Sequence, residues 1–500
     1  MMTSDNELLL AKNFSHLFSD ETLRRKPSPI KTTMAYFQDP DVIFLGAGMP
    51  PAELFPLKSI TIEIPKPPFS DGIDNPKESF EGTIMKNPED LLFRDDIPLA
   101  RALQYGNSRG QKELVSFLKE HTSIFHSIPY NDWDIITTTG STQAWDASLR
   151  IFCNKGDTVL LEEFTYSSSV EAADAQGLNC IPVPMDNQGI IPEKLEEMLS
   201  NWTDRYPGVP MPKLLYTIPT GQNPTGCTLS ECRKPYIYQL AQKHDMLIVE
   251  DDPYYFLQMG TYVSSDKRET DEQDIVTQEL KQNHGEFVKS LSRSFLDLDR
   301  DGRVVRLDSM SKTFAPGCRL GWIVGSKHLL DNYWNLHEVS IQSTCGFAQS
   351  ILGGLLNRWG QDGYINWLIE LRHEYTLKRN WCLDSCYRHL PQELVTLSPP
   401  SAGMFFTVSI DSSRHPHFCS LFESNPSLVE QHIYEKCVAN GVLVALGSWF
   451  KVNGPECMQP KICHGTSITF RGTFAAVDPK RMEQALKKFG ETLREEFEVV

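Results

Sequence analysis

Arg306–Trp322 reads RLDSMSKTFAPGCRLGW and joins the end of one predicted strand to the start of the next through a polar loop. The loop carries Lys312, and Arg319 follows seven residues later. Ser309 and Ser311 stand beside the lysine. A lysine among hydroxyls and a guanidinium is better explained as an amine next to a phosphate than as a solvated charge. Serine and lysine are also common in loops, so the weight of this stretch depends on the rest of the chain.

Strand and helix patterns alternate from residue 133 onward. This alternation predicts an α/β fold with a parallel or mostly parallel sheet and helices on both faces. Ligands of such sheets bind beyond the carboxyl ends of the strands, so the residues that follow each strand are the informative ones. The predicted strands are 134–138, 157–162, 179–184, 213–218, 246–250, 303–307 and 320–325, with helices between them at 141–152 and 230–244 among others.

The remaining chain suggests an arm, two insertions and a second domain. Residues 62–98 and 260–302 are polar and charged, and both read as insertions. Residues 327–391 are predicted to be helical. Beyond them, strands at 403–410, 442–447 and 467–474 with helices at 427–439 and 478–496 predict a smaller α+β domain. We therefore predict an arm (1–40), a large domain (41–345) and a long helix with a small domain (346–500).

Composition excludes several classes of protein. The 500 residues carry 48 basic and 65 acidic side chains, a formal charge of −17, which argues against nucleic-acid and anionic-membrane surfaces. No apolar run approaches a membrane span, and the N-terminus does not resemble a signal peptide. Twelve cysteines without a CxxC pair indicate a reducing compartment, so we expect a cytoplasmic protein. Cys457, Cys463 and His464 have irregular spacing, and we predict no metal site.

Two strand ends offer groups for a phosphorylated ring. The chain after strand 134–138 turns at Gly140 into a helix that begins with Ser141 and Thr142. A helix N-terminus binds anions through free N–H groups, although a serine there can also be a simple helix cap. Tyr166 follows strand 157–162, where an aromatic ring could stack on a flat cofactor or belong to the core.

Two further strand ends supply an amide and a carboxylate. The segment PTGQNPTG (219–226) demands a fixed turn, and its Asn223 can donate a hydrogen bond to a phenolate oxygen. Asp251 directly follows the apolar run 246–250, and a buried carboxylate needs a cationic partner such as a pyridinium. Tyr254, three residues later, could reach the same ring oxygen as Asn223.

One cofactor uses all of these groups. Pyridoxal 5'-phosphate (PLP) requires an amine, phosphate donors, a stacking ring, a donor to its phenolate oxygen and an acid beside its pyridine nitrogen. Each residue alone could be structural, but together the strand ends predict a PLP site.

The motifs also carry a family resemblance. PTGQNPTG (219–226), IVEDDPYYF (248–256) and DSMSKTFAPGCRLGW (308–322) resemble the motifs of fold-type-I PLP-dependent aminotransferases of class I. The chain is most similar there to fungal aromatic aminotransferase I and to the 2-aminoadipate/kynurenine aminotransferases. The segments that support this subfamily are KPSPIK (26–31), LGAGMP (45–50), ALQYG (102–106), EDDPYYFLQM (250–259), RWGQ (358–361) and HEYTLKR (373–379).

The resemblance implies a role for each matching residue. Lys312 would bind PLP covalently and move the substrate proton, Asp251 would pair with the pyridine nitrogen, and Tyr166 would stack on the ring; these three are the predicted catalytic residues. The other cofactor contacts would be Asn223, Tyr254, Ser141, Thr142, Ser309, Ser311, Arg319 and Tyr105. The predicted substrate contacts are Arg471, which would bind the α-carboxylate, together with Gly48 and Asn223.

The resemblance also implies a homodimer with shared active sites. Tyr105 would reach the phosphate in the other subunit, and the N-terminal arm would close over the site. Lys31 stands where the related kynurenine enzymes have arginine, which leaves open a second carboxylate contact through the arm.

The implied reaction is transamination between aromatic amino acids (Phe, Tyr, Trp) and 2-oxo acids such as 2-oxoglutarate, with 2-aminoadipate as a further substrate. Another PLP reaction, such as that of a C–S lyase or a decarboxylase, would use the same cofactor residues. A non-catalytic regulator built on the same fold would need an additional DNA-binding domain. The simplest alternative is an acidic α/β scaffold without a cofactor.

Overall fold

The computed structural model describes residues 9–26, 29, 41–43, 45–46, 48–74, 76–269, 272–454 and 465–499. Lys31 and the rest of residues 30–40 lie outside the described residues, as do Cys457, Cys463 and His464. Among the helices of the described ranges, none is long and apolar enough to cross a membrane. The cytoplasmic location stays a prediction.

The strands form one seven-stranded sheet, one four-stranded sheet and two small two-stranded sheets. They are β1 (Ser59–Pro65), β2 (Ser79–Met85), β3 (Trp133–Thr138), β4 (Thr158–Glu162), β5 (Asn179–Val183), β6 (Met185–Asp186), β7 (Gly189–Ile190), β8 (Pro212–Thr217), β9 (Leu247–Asp251), β10 (Val304–Ser309), β11 (Gly321–Ser326), β12 (Val395–Leu397), β13 (Phe405–Asp411), β14 (Ala445–Leu446) and β15 (Ser467–Thr473).

The helices alternate with the strands through most of the chain. They are α1 (Asp20–Arg24), α2 (Leu99–Ala102), α3 (Lys112–Phe125), α4 (Ser141–Phe152), α5 (Ser167–Ala175), α6 (Pro192–Ser200), α7 (Trp202–Arg205), α8 (Lys234–Lys243), α9 (Glu272–Gln282), α10 (His284–Lys289), α11 (Met310–Thr313), α12 (Lys327–His337), α13 (Gly346–His389), α14 (Pro426–Ala439) and α15 (Pro479–Phe497).

The seven-stranded sheet is mostly parallel. Its strand order is β3-β11-β10-β9-β8-β4-β5, and every neighbouring pair from β10 to β5 is parallel. Only β11 runs against its two neighbours in this sheet, β3 and β10. The carboxyl ends of β4, β8, β9 and β10 therefore meet at one edge, where a doubly wound sheet binds its ligands.

Both faces of this sheet are buried. On β9, Leu247 and Val249 belong to one apolar cluster, while Ile248 between them belongs to the other. Phe117 of α3 lies in the second of these clusters and Trp145 of α4 in the first, so helices cover both faces. Burial on both faces explains why these strands read as continuous apolar runs rather than as alternating patterns.

The four-stranded sheet is antiparallel and has its own core. Its order is β12-β13-β15-β14. Cys382 of α13 and Phe489 of α15 belong to the apolar cluster that this sheet buries. The predicted fold class, a mostly parallel sheet with covering helices plus a smaller α+β unit, is confirmed. The division of the chain at residues 345 and 346 stays a prediction, although α13 begins at Gly346.

The insertions contain more structure than their composition indicates. Segment 62–98 includes much of an antiparallel hairpin in which Ile64 of β1 and Ile84 of β2 are fully buried. Segment 260–302 contains α9 and α10, and Phe287 of α10 is buried in the core. The many charged and proline residues elsewhere in both segments outweigh these apolar residues in the composition. The predicted strand 442–447 is shorter than expected, because only Ala445–Leu446 pairs with β15.

Candidate active site

Lys312 lies at the carboxyl edge of the seven-stranded sheet. It belongs to the four-residue helix α11, directly after β10, and it is half-buried. The Ser309 hydroxyl accepts a hydrogen bond from the backbone N–H of Ser311 at 3.1 Å, which fixes the turn out of the strand. Burial lowers the pKa of Lys312, and the positive charge of Arg319 lowers it further. The amine is therefore neutral at a lower pH than that of a surface lysine.

Arg319 connects the Lys312 loop to the turn before α4. Its Nη2 donates to the Thr139 carbonyl at 2.7 Å, and its Nη1 donates to the Ser311 hydroxyl at 3.3 Å. Gly140 has a φ of 103°, and a Cβ built there would lie 2.4 Å from Arg319 Nη2. Only glycine therefore lets the guanidinium approach the N-terminus of α4 so closely.

The start of α4 is suited to an anion. Its first N–H groups carry the positive end of the helix dipole, and the Arg319 guanidinium bonds to the turn just before them at Thr139. The buried Ser141 hydroxyl has no hydrogen-bond partner among the described residues, and Thr142 beside it is exposed. Together with Ser311 and Arg319 these groups make a cationic and hydroxyl-rich cradle.

Asp251 ends β9 and is buried with one oxygen unused. In the sheet it pairs in register with Leu307 of β10, so it lies beside the strand that leads into the Lys312 loop. The Tyr216 hydroxyl donates to Asp251 Oδ2 at 2.7 Å, whereas Oδ1 has no partner among the described residues. Burial raises the pKa of Asp251 to about 6, although the Tyr216 hydrogen bond and the Ser141 hydroxyl, which lies near the carboxylate without a hydrogen bond of good geometry, act in the opposite direction.

Tyr254 belongs to the apolar cluster against which Tyr166 also packs. Tyr254 is buried and packs edge-on against Phe405, with ring centroids 5.9 Å apart. Burial raises the pKa of its phenol, and the charge of Asp251 raises it further. Tyr166 is half-buried just before α5 and packs against the same apolar cluster. Arg471 is close enough to oppose the rise in the pKa of Tyr254.

Asn223 and Arg471 meet across 248 residues of sequence. Arg471 lies on β15 of the small sheet, and its Nη1 donates to Asn223 Oδ1 at 2.7 Å. Within the part of the chain that the structure describes, the other guanidinium N–H groups of Arg471 have no hydrogen-bond acceptor. Burial lowers the pKa of Arg471, and a carboxylate ligand would offset that cost of burying the charge.

Glu162 is a structural residue of the site that the sequence analysis missed. It ends β4 and accepts hydrogen bonds from the Thr217 hydroxyl at 2.6 Å, the Ile218 N–H at 3.2 Å and Gln222 Nε2 at 3.0 Å. These bonds hold the turn that contains Asn223. Burial raises the pKa of Glu162 to about 7, and the three donors oppose the rise. An acidic residue that ends an apolar strand was the available signal, as it was for Asp251.

Two predicted residues lie apart from this group. Gly48 is exposed, and a Cβ added to it would meet nothing within 4 Å among the described residues. Tyr105 is 59% exposed, so its ring lies on the surface of the chain. Lys31 lies outside the described residues. Among the described residues, the structure therefore brings together the predicted residues from Ser141 to Arg471 but not Gly48 or Tyr105.

A separate cluster contains His415, His432 and Glu496, whose ligand atoms lie within 4.8 Å of one another. His415 Nδ1 accepts a hydrogen bond from the backbone N–H of His417 at 3.1 Å, and Lys436 Nζ lies 3.1 Å from the other oxygen of Glu496. A histidine that ligates a metal usually donates from its second ring nitrogen. Because His415 accepts there instead, the cluster is better explained by hydrogen bonds and ion pairs than by a metal.

Known proteins resemble this chain in both sequence and fold. The family Aminotransferase class I and II matches residues 100–489. An aromatic amino acid aminotransferase of Schizosaccharomyces pombe is 39% identical over 97% of this chain and 98% of its own length. The mitochondrial kynurenine/alpha-aminoadipate aminotransferase of Mus musculus is 31% identical over 97% of this chain and 99% of its own. The crystal structure of the aminotransferase Aro8 from Candida albicans is 46% identical, has a TM-score of 0.91, and is matched over 98% of this chain and all of its own. The chain belongs to the class I and II aminotransferase family.

Proposed function

We propose that the protein is a PLP-dependent aminotransferase that moves an amino group between aromatic amino acids and 2-oxoglutarate. One observation carries the proposal: a lysine with a lowered pKa and a buried aspartate with an unused oxygen lie on adjacent strand ends. Lys312 supplies the amine and Asp251 the carboxylate. The Arg319 contact to Thr139 ties the Lys312 loop to the helix that begins beside Asp251.

The donor set fits PLP. Oδ1 of Asp251 has no partner among the described residues and could accept a hydrogen bond from a pyridine N–H. The phosphate would be held by Ser141, Thr142, Ser309, Ser311 and Arg319. Asn223 and Tyr254 would donate to the ring oxygen, and Tyr166 would stack on the ring.

The chain's own residues can carry the proton transfer. PLP, when bound, supplies an electron-withdrawing ring that acidifies the Cα–H of an attached amino acid. Lys312 would take that proton at Nζ and return it at the other end of the reacting system, because a lowered pKa makes its neutral, basic form more available than that of a surface lysine. Asp251, as a carboxylate, would keep the ring nitrogen protonated. Arg471 would hold the α-carboxylate and so fix which substrate bond faces Lys312.

The substrate class rests on the relatives. Three Schizosaccharomyces pombe relatives at 35–39% identity are named aromatic amino acid aminotransferases. A relative from Serpula lacrymans, 32% identical, is named an L-tyrosine:2-oxoglutarate aminotransferase. The name of the mouse relative adds 2-aminoadipate and kynurenine as candidate amino donors.

Incubation of the PLP-loaded enzyme with tyrosine and 2-oxoglutarate is expected to yield glutamate and 4-hydroxyphenylpyruvate in equal amounts. The yield is best measured by chromatography, with phenylalanine, tryptophan, 2-aminoadipate and kynurenine tested in parallel. A matched reaction without 2-oxoglutarate should stop after the first half-reaction, with one 4-hydroxyphenylpyruvate released per site. Release of ammonia without glutamate would instead indicate a lyase, and a PLP-bound protein with no turnover on any donor would indicate a binding protein.

We also propose a homodimer in which Tyr105 serves the site of the other subunit. Its 59% exposed ring suits a group that reaches outward rather than into its own subunit. Tyr105→Phe should weaken PLP binding by about tenfold, because it removes one hydrogen bond to a charged phosphate. At a PLP concentration that leaves Tyr105→Phe largely unloaded, mixing it with Lys312→Ala subunits should restore activity, since each mixed dimer would contain one intact site.

Subunit exchange must be verified in that experiment, for example with one differently tagged subunit and native mass spectrometry. A confirmed mixed dimer without recovered activity would mean that Tyr105 acts within its own subunit or not at all. Two Lys312→Ala subunits that carry different tags provide the inactive control.

A further inference from the structure

The Arg471 guanidinium lies against two aromatic rings. Its central carbon is 4.5 Å from the ring centroid of Phe405 and 4.5 Å from that of Phe450. Phe405 is on β13, two residues before Thr407, which pairs with Arg471 across the sheet. Phe450 comes from the short 3-10 turn Gly447–Phe450 that follows β14. Both phenylalanine rings are buried.

These contacts restrict how Arg471 can bind. An aromatic ring occupies the face of a guanidinium, whereas its N–H groups point outward in the plane. Asn223 takes one of those N–H groups at 2.7 Å. The orientation of the plane then determines where the remaining donors point, and two parallel N–H groups match a carboxylate only in the right orientation.

Phe450 is itself fixed to the loop that precedes Tyr166. Its carbonyl accepts a hydrogen bond from the Thr165 N–H at 2.9 Å, and the Val452 N–H donates to the Glu163 carbonyl at 2.9 Å. The turn from the small sheet is thus fastened to the end of β4 in the large sheet. The position of the Phe450 ring therefore depends on how the small sheet packs next to Tyr166, the predicted ring-stacking residue.

We propose that Phe450 is a positioning residue, which fixes the plane of the Arg471 guanidinium so that its free N–H groups meet the substrate α-carboxylate. The inference rests on the proposed function, because it takes the carboxylate of an amino acid as the ligand of Arg471. Phe450 is the better of the two rings to replace in a test of this proposal. Phe405 also packs against Tyr254, so its replacement would disturb a predicted cofactor contact as well.

The test compares an acid with its neutral amide. The PLP-loaded wild type and Phe450→Leu are titrated with 3-phenylpropionate and with 3-phenylpropionamide, and Kd is measured by calorimetry. Loss of the aromatic contact should raise Kd for the acid by about tenfold and leave Kd for the amide within about twofold. KM for phenylalanine should rise with little change in kcat. Phe450→Tyr keeps the ring and should restore binding of the acid.

Trp449→Leu is the matched control. Trp449 precedes Phe450 in the same turn, but it is 51% exposed and its ring contacts Tyr434 rather than Arg471. This variant should bind the acid like the wild type. Equal loss of acid and amide affinity in Phe450→Leu would overturn the proposal and indicate a pocket-lining role. Unchanged affinity for both ligands would also overturn it.

Arg471→Gln separates carboxylate binding by Arg471 from the positioning role of Phe450. If Arg471→Gln strongly weakens binding of the acid while Phe450→Leu does not, Arg471 still binds the carboxylate and the positioning role of Phe450 is wrong. If Arg471→Gln leaves acid binding unchanged, the assignment of Arg471 in the proposed function fails instead. The retained PLP absorbance and the thermal unfolding midpoint of each variant verify that the fold is intact.

Discussion

Lys312→Ala is expected to lower the rate of amino transfer from tyrosine to 2-oxoglutarate by about a thousandfold or more. The substitution removes both the amine that would bond to the cofactor and the base that would move the Cα proton. Lys312 is half-buried directly after β10, and Arg319 lies close enough to lower the pKa of its amine. The measurement is single-turnover kinetics, together with the amount of PLP that survives dialysis.

Two further variants test the cause of that loss of activity. Lys312→Arg keeps a positive charge, but a guanidinium stays protonated near neutral pH, so this variant should be as inactive as Lys312→Ala. Lys243→Ala replaces an exposed lysine on α8 that pairs with Glu196 at the surface, and it should retain full activity. A Lys312→Ala enzyme with a tenth of the wild-type rate would exclude Lys312 as the base.

The strand-end principle explains why much of the site could be predicted from the sequence. Parallel strands bring their carboxyl ends to one edge, so residues such as Asp251 and Lys312 can be placed near each other without knowing any side-chain contact. The alternation of strands and helices also sufficed for the fold class. A buried acid after an apolar run, as at Asp251, stands out because burial without a partner is unfavourable.

Contacts between distant segments could not be predicted in the same way. The bond between Arg471 and Asn223 depends on how the small sheet packs against the large one, and sequence spacing does not determine that packing. The contact of Phe450 with Arg471 depends on the register of β14 and β15. The hairpin β1–β2 was missed although SITIEIP (59–65) alternates apolar and polar residues as a strand does, because the surrounding segment is rich in proline and acid.

Asp251→Asn is expected to lower turnover by about a hundredfold or more while making the cofactor-free protein more stable at neutral pH. An amide cannot hold a proton on the pyridine nitrogen as a carboxylate does. Its oxygen can still accept the hydrogen bond from Tyr216, so the fold should be retained. The activity assay is the same as for Lys312→Ala, and stability is measured by thermal unfolding of the PLP-free protein.

The sign of the stability change follows from the pKa. Burial raises the pKa of Asp251 from its ordinary 3.8 to about 6, so the folded protein binds this proton more tightly than the unfolded chain. The contribution of Asp251 to stability is complete below about pH 4 and is lost as the pH rises through about 6. Above that pH the ionised carboxylate costs the cofactor-free protein up to about 3 kcal/mol of unfolding free energy. Asparagine does not ionise, so the advantage of the variant should grow from pH 4.5 to pH 7.

Added PLP should reverse this order, because a cationic ring nitrogen beside Asp251 stabilises the wild type more than the variant. Asp96→Asn is the matched control, since Asp96 is also buried but accepts a hydrogen bond from Arg358 Nη2 at 2.8 Å. That variant breaks a buried ion pair and should lose stability with and without PLP. An Asp251→Asn protein that is destabilised in both states, like this control, would identify Asp251 as a structural residue. The change of sign on adding PLP is therefore what distinguishes a cofactor partner from a packed carboxylate.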